Sequence, residues 1–295
     1  MRRLYRFLLP PSDIARVASG VLAGALLLSV ASAQAATIPF LPHQASYDLS
    51  LLKSRNGAAA VDSARGRILY NFTGSACEGY TSEFRQVSEL NGSEGKSTLS
   101  DLRSTSWEDA DGKTYRFKID TRMNEGNASD VDGIAERTGD HVTVKLKQPV
   151  AKTFTLDGST VFPTQQVRRI IAAAREGKSL LELTVYDGSD NGEKVYNTLT
   201  VIGKPIPGDK VTTPDPSTSN DAMKTLTRWP VTVSYYDRDA KSNAGEQTPT
   251  YAMSFELYEN GVSRALKLDY NDFVIGGTLD KFEVKSSKPC KPGEK

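Results

Sequence analysis

The chain of 295 residues is balanced in charge, with 37 Lys and Arg against 36 Asp and Glu, and it contains two cysteines and two histidines. That balance provides no basic surface for nucleic acid, and two histidines leave little from which to build a metal centre or a His-dependent nucleophile. The length allows one large β-domain or two smaller ones.

In chain order, Arg2, Arg3, Arg6 and Arg16 lead into an apolar run from Val17 to Val30 and then into Ala31-Ser32-Ala33-Gln34-Ala35-Ala36. This is the pattern of a secretory signal peptide. The apolar run is too short to span a bilayer as a helix, so residues 1–36 are expected to be removed by cleavage between Ala33 and Ala36. No cysteine stands at the cleavage region to carry a lipid, and residues 37–295 are expected to be exported and soluble. The mature chain then holds 33 basic and 35 acidic residues, a formal charge of −2. Its cysteines, Cys77 and Cys290, are most simply one disulfide tying the tail to an early strand, as an oxidising compartment allows.

From His43 onward the sequence alternates. Tyr47, Leu49 and Leu51 face one way and Ser46, Asp48 and Ser50 the other, the period of a half-buried strand. Asn56-Gly57 is expected to turn the chain, and further strands are expected at Arg67–Phe72 and Tyr80–Leu90. Asn91-Gly92 reads as another turn, with residues that tolerate positive φ. Asp111-Gly112 separates Trp107 from a strand in which Tyr115, Phe117 and Ile119 alternate with polar residues, and Gly139-Asp140 separates Ile134 from Val142, Val144 and Leu146.

One helix interrupts the strands, over about 164–176. Thr164 is the expected N-cap, and Val167, Ile170, Ile171 and Ala174 share one face. Gly177 supplies the stop, and Arg168, Arg169, Arg175 and Glu176 are expected on the wet face. The apolar face either packs on a sheet or lines a ligand groove. Strands resume at Leu181–Val185 and Val195–Ile202, around the turn Asp187-Gly188-Ser189-Asp190-Asn191-Gly192. The Pro, Thr and Ser-rich stretch 205–220 reads as a long surface loop in preference to an interdomain linker. Strands at Arg228–Tyr236, Thr250–Tyr258, Val262–Asp269 and Phe273–Val284 complete the series. The predicted fold is mainly β: a single many-stranded antiparallel β-spiral or curved half-barrel over residues 37–295, with the helix packed on it as a plug.

No catalytic constellation emerges. Asp187 to Gly192 begins like a calcium loop, but the twelfth position is Thr198 and the flanks are strands. His43 and His141 have neither a nucleophile-elbow pattern nearby nor ligand spacing to a cysteine. No enzyme activity, metal or cofactor is expected.

The stretches His43-Gln44-Ala45-Ser46-Tyr47, Cys77-Glu78-Gly79-Tyr80, Trp107-Glu108, Phe162-Pro163-Thr164-Gln165, Tyr186-Asp187-Gly188-Ser189-Asp190 and Glu259-Asn260-Gly261-Val262, with the terminal Cys290, carry a resemblance over nearly all of the mature chain. The sequence resembles the EipB-type cell envelope integrity proteins of alphaproteobacteria. That resemblance implies a periplasmic, bent β-spiral closed by a disulfide between the matching cysteines, and a role in maintaining the envelope without catalysis. The first functional expectation is a scaffold acting through an envelope protein partner. The alternative is a carrier of a lipid or other hydrophobic ligand, held in a groove lined by Val167, Ile170, Ile171 and Ala174.

Overall fold

The computed structural model describes residues 38–290 except 56–60, 93–94, 125, 212, 240–246 and 288–289; the expected signal peptide and the Asn56-Gly57 turn lie outside the described residues. Strands β1 (His43–Ser54), β2 (Val61–Ser75), β3 (Gly79–Gly92), β4 (Ser97–Glu108), β5 (Thr114–Met123), β6 (Gly126–Thr138), β7 (His141–Gln148) and β8 (Lys152–Asp157) precede helix α1 (Pro163–Arg175). Strands β9 (Leu180–Val185), β10 (Tyr196–Ile202), β11 (Arg228–Asp237), β12 (Tyr251–Tyr258), β13 (Ser263–Asp269) and β14 (Phe273–Val284) follow it.

All fourteen belong to one unclosed antiparallel sheet, in the order β8 back to β1, then β14 back to β9. Each half is a meander in which every strand pairs with its sequence neighbour. The halves join where β1 pairs with β14, from His43↔Val284 to Ser54↔Phe273. Helix α1 connects the two outermost strands. Close to them Val161 makes a parallel bridge to Val185, with the Thr184 carbonyl accepting from Val161 N–H at 2.8 Å.

A sheet of this size must curl, because each strand is twisted against its neighbour. The curl brings both arms onto the helix. Phe72 and Tyr80 of the first arm, and Val231, Val233, Tyr235 and Leu257 of the second, share one core cluster with Ile170, Ile171, Ala173 and Ala174. Full burial of Ile170 and Ile171 removes two large aliphatic side chains from water, stabilising the fold by about 1.5–3 kcal/mol for each.

The ends of the helix differ from one another in how they are closed. Thr164 is not the N-cap: that position is Phe162, in extended backbone and with no side-chain cap. Glu108 at the end of β4 takes over the task, its carboxylate accepting from Thr164 N–H at 2.7 Å and Gln165 N–H at 2.9 Å. At the other end Lys178 N–H donates to Ala173 O and Gly177 N–H to Ala174 O, with Gly177 at φ 73°. This is a Schellman motif, and it needs the left-handed conformation that glycine adopts freely.

Three local expectations are corrected. Asn91 and Gly92 are the last paired residues of β3, facing Ser97 of β4 and Val61 of β2, so the chain reverses beyond them. Arg168 is half-buried: its guanidinium lies over the Phe40 ring at 5.4 Å and donates to Ala110 O at 2.6 Å. Strand β8 was not anticipated, because Lys152 to Asp157 offers only two apolar side chains to a six-residue strand.

The stretch 205–220 connects adjacent strands β10 and β11. Two buried arginines fasten it: Arg228 donates to Glu256 and to Lys210 O, and Arg264 to Asp215, Glu256 and Thr213 O. A buried guanidinium is tolerable only when its N–H groups are met in this way. The structure also joins Cys77, in the turn between β2 and β3, to Cys290, with Cα atoms 5.8 Å apart.

Candidate ligand cavity

The concave side of the sheet bears a half-open cavity of about 820 Å³ beside the helix. Its origin is visible in β4. A strand facing a core normally presents large apolar residues at every second position. The inward positions of β4 are Ser100, Leu102, Ser104 and Ser106, all four of which line the cavity. Beside the larger Phe84 and Ile119, neighbouring strands add further small polar side chains, Ser82 of β3 paired with Ser106 and Thr121 of β5 paired with Ser129 of β6. Side chains this short do not reach across to the opposite arm, and the space between is left open.

The opposite wall is aromatic. Tyr235 of β11 and Tyr251 of β12 stack with centroids 4.5 Å apart and planes within 12°, and Val233, Met253 and Phe255 extend this surface. Burial raises the pKa of the Tyr235 phenol above its ordinary value, so the wall is uncharged at physiological pH.

Helix α1 forms a third side through Pro163, Gln166, Val167 and Ile170. Of the groove residues expected from the sequence, Val167 and Ile170 are therefore at the cavity, whereas Ile171 and Ala174 are not among its lining residues and sit in the core cluster around the helix. The helix is turned so that Gln166 also faces inward. The residue is 6% exposed; Oε1 accepts from Tyr235 at 3.4 Å, and Nε2 has no hydrogen-bond partner.

The turn after β9 completes the lining with Asp187, Ser189 and Asp190. Two buried phenols hold it in place, Tyr115 donating to Asp187 O at 3.0 Å and Tyr186 to Gly192 O at 2.6 Å. Gly188 sits at φ 73°, and a Cβ there would stand 2.4 Å from the Phe117 ring, so only glycine fits. Burial raises the pKa of Asp187, although Ser189 N–H donates to its carboxylate at 2.9 Å. Among the described residues no group of three or more His, Cys, Asp or Glu could hold a metal.

A smaller cavity of about 110 Å³ shares Tyr70, Ser82, Ser106, Pro163 and Val167 with the large one and reaches to Phe40, His43 and Phe72. His43 is buried among Tyr70, Phe72 and Phe282, and burial lowers its pKa. Its Nδ1 donates to Leu41 O at 2.7 Å, which fixes the neutral tautomer. The histidine is thus a packed core residue.

Glu108 ends β4, two residues beyond the lining Ser106. Burial pushes its pKa up to about 7, against the opposing pull of the Thr164 and Gln165 N–H groups and of Arg168.

Sequence reasoning missed the serines of β4, Gln166, and the paired tyrosines of β11 and β12. A signal for the first was present: in Ser97 to Glu108 the alternation places serine, where other strands of this chain place Val, Leu or Phe, on the face that the β-spiral must turn inward.

An open antiparallel β-spiral wrapped on one helix, with an amphiphilic cavity between its arms, defines the class of protein. The chain belongs to the EipB-like family, whose model matches residues 34–286. It is 34% identical over 265 residues, 89% of this chain and 91% of the relative, to the cell envelope integrity protein EipB of Brucella abortus (strain 2308). It is also similar to the crystal structure of a β-barrel-like protein of a domain of unknown function from Brucella abortus. The TM-score is 0.75 at 32% identity, over 84% of this chain and 100% of that one. Among the described residues, no helix is long and apolar enough to cross a membrane.

Proposed function

We propose that the protein is exported by residues 1–36, acts in the periplasm as one β-spiral domain over residues 37–295, and supports cell envelope integrity without catalysis by holding a lipid-like amphiphile in its cavity. The role in the envelope rests on kinship with the Brucella protein of that name. The holding of a ligand rests on one observation, the cavity of about 820 Å³ between a hydroxyl wall and an aromatic wall. Its size lies within the range of small-molecule sites, and its lining combines the apolar surface and convergent polar groups that such sites use. Scaffolding through an envelope protein partner, the first expectation from sequence, requires no such space.

An uncharged environment-sensitive dye, N-phenyl-1-naphthylamine, tests the reading. Saturable fluorescence enhancement is expected with the wild-type protein and should be lost in Ser104→Phe, which puts an aromatic ring into the open space. Absence of saturable binding by the wild type overturns ligand holding and leaves the scaffold.

A further inference from the structure

The cavity has a distinctive charge inventory. Among the described residues that line it there is no lysine, arginine or histidine, while Asp187 and Asp190 are both present. The cations beside it are committed elsewhere: Lys194 to Asp237 at 2.7 Å and to the lining Asp190 at 3.6 Å, and Arg168 to Ala110 O and the Phe40 ring. His43, in the smaller cavity, donates through Nδ1 to Leu41 O and is held neutral by its aromatic surroundings. An ionised carboxylate or phosphate entering this space would surrender its water without meeting an uncommitted counter-ion, which is unfavourable. A cation fares little better. Asp187 already accepts from Ser189 N–H, and burial disfavours its charged form.

What the cavity does offer is neutral hydrogen bonding. Gln166 Nε2 is a buried donor without a partner, and a buried unpaired donor is costly until an acceptor arrives. The same cavity is lined by the hydroxyls of Ser82, Ser104, Ser106 and Thr121, a group type that both donates and accepts. The apolar wall of Tyr251, Met253 and Phe255 lies opposite.

From these features we infer that the cavity selects an uncharged amphiphile, an apolar chain bearing an ester, amide or hydroxyl head whose oxygen accepts from Gln166 Nε2. This rests on the ligand-holding reading above and specifies the chemical class of the ligand. The apolar chain lies along the aromatic wall and the head among the hydroxyls of β3, β4 and β5.

Three probes with the same ten-carbon chain separate the possibilities by calorimetric titration of the purified protein at pH 7.5: 1-decanoylglycerol, decanoate and decyltrimethylammonium. The neutral probe should bind at least tenfold more tightly than either ion, and Ser104→Phe should abolish its binding. Gln166→Leu should weaken the neutral probe about tenfold and leave binding of decanoate unchanged. Ser104→Lys, which gives the wall a cation, should instead strengthen decanoate at least tenfold, so the inference stays exposed even if the Gln166 variant does not fold. If either ion binds the wild type as well as or better than decanoylglycerol, and Ser104→Phe abolishes that binding, the neutral class is wrong while ligand holding stands. If none of the three binds, ligand holding falls and this inference with it.

Discussion

The two arms of the sheet face one another across the same space and fill it differently. The inner face of β11 and β12 carries Val233, Tyr235, Tyr251, Met253 and Phe255, large side chains that pack on one another and against the helix. The inner face of β4 carries Ser100, Leu102, Ser104 and Ser106. Both faces obey the same alternation, and both strands pair along their length with two neighbours. The contrast teaches that β4 stands as a wall through backbone pairing to its two neighbours, while β11 and β12 also supply core. A hollow in a β-protein can be specified by residue size on one strand, without any change in topology.

The largest effect should come from the link between the arms. Cys77 lies at the end of the β2–β3 hairpin in the first arm, and Cys290 follows β14 in the second. A cross-link over 213 residues corresponds to at most about 5 kcal/mol in the chain-entropy model. Reduction should therefore lower the denaturation midpoint substantially, as read by urea unfolding with and without reductant. An unchanged midpoint would mean that the β1–β14 seam and the packing of both arms on the helix hold them together without it.

The contrast between the walls is addressed directly by alanine. Tyr235→Ala should cost roughly 3–5 kcal/mol, as removal of a large buried aromatic does. Glu108 comes next, because it ties β4 of the serine arm to the helix that the tyrosine arm packs against. Its pKa of about 7 in the folded state exceeds that of an exposed glutamate, so the folded protein retains a proton that the unfolded chain releases. The resulting stability is present in full below about pH 4.5 and is lost as pH rises through about 7, roughly 3 kcal/mol in all. Arg168 favours the anion; the Arg137 guanidinium and the Tyr115 phenol also face this carboxyl. Against Glu108→Gln the wild type should lose stability over that window; parallel pH profiles would show that the carboxyl titrates normally.

The smallest effect should be that of Ser104→Ala, within about 0.5 kcal/mol, since the site is already hollow. Comparable losses for Ser104→Ala and Tyr235→Ala would remove the distinction between the walls.

Much of the fold could be read from the sequence because period-two alternation is local. Tyr47 and Leu49, or Val142, Val144 and Leu146, announce a buried face without reference to anything distant, and the helix announces itself through Val167, Ile170, Ile171 and Ala174. What could not be read is long-range. Glu108 replaces Thr164 as the helix cap from 56 residues away, and no local pattern encodes that substitution. The rotation of α1 that brings Gln166 to the cavity and leaves Ile171 and Ala174 in the core depends on both arms closing upon it. The serines of β4 were legible as polar residues, yet a polar strand face ordinarily means solvent. Only the curl of the sheet turns this one inward.

The central claim is that the hollow left by β4 holds a lipid-like molecule in the cell. Native mass spectrometry of the protein purified from its own envelope, beside the Ser104→Phe variant prepared identically, tests it most directly. The wild type should carry a non-covalent adduct that organic extraction releases as an uncharged amphiphile, and the variant should be bare. A wild-type protein that is equally bare, or an adduct retained in full by Ser104→Phe, would contradict the account.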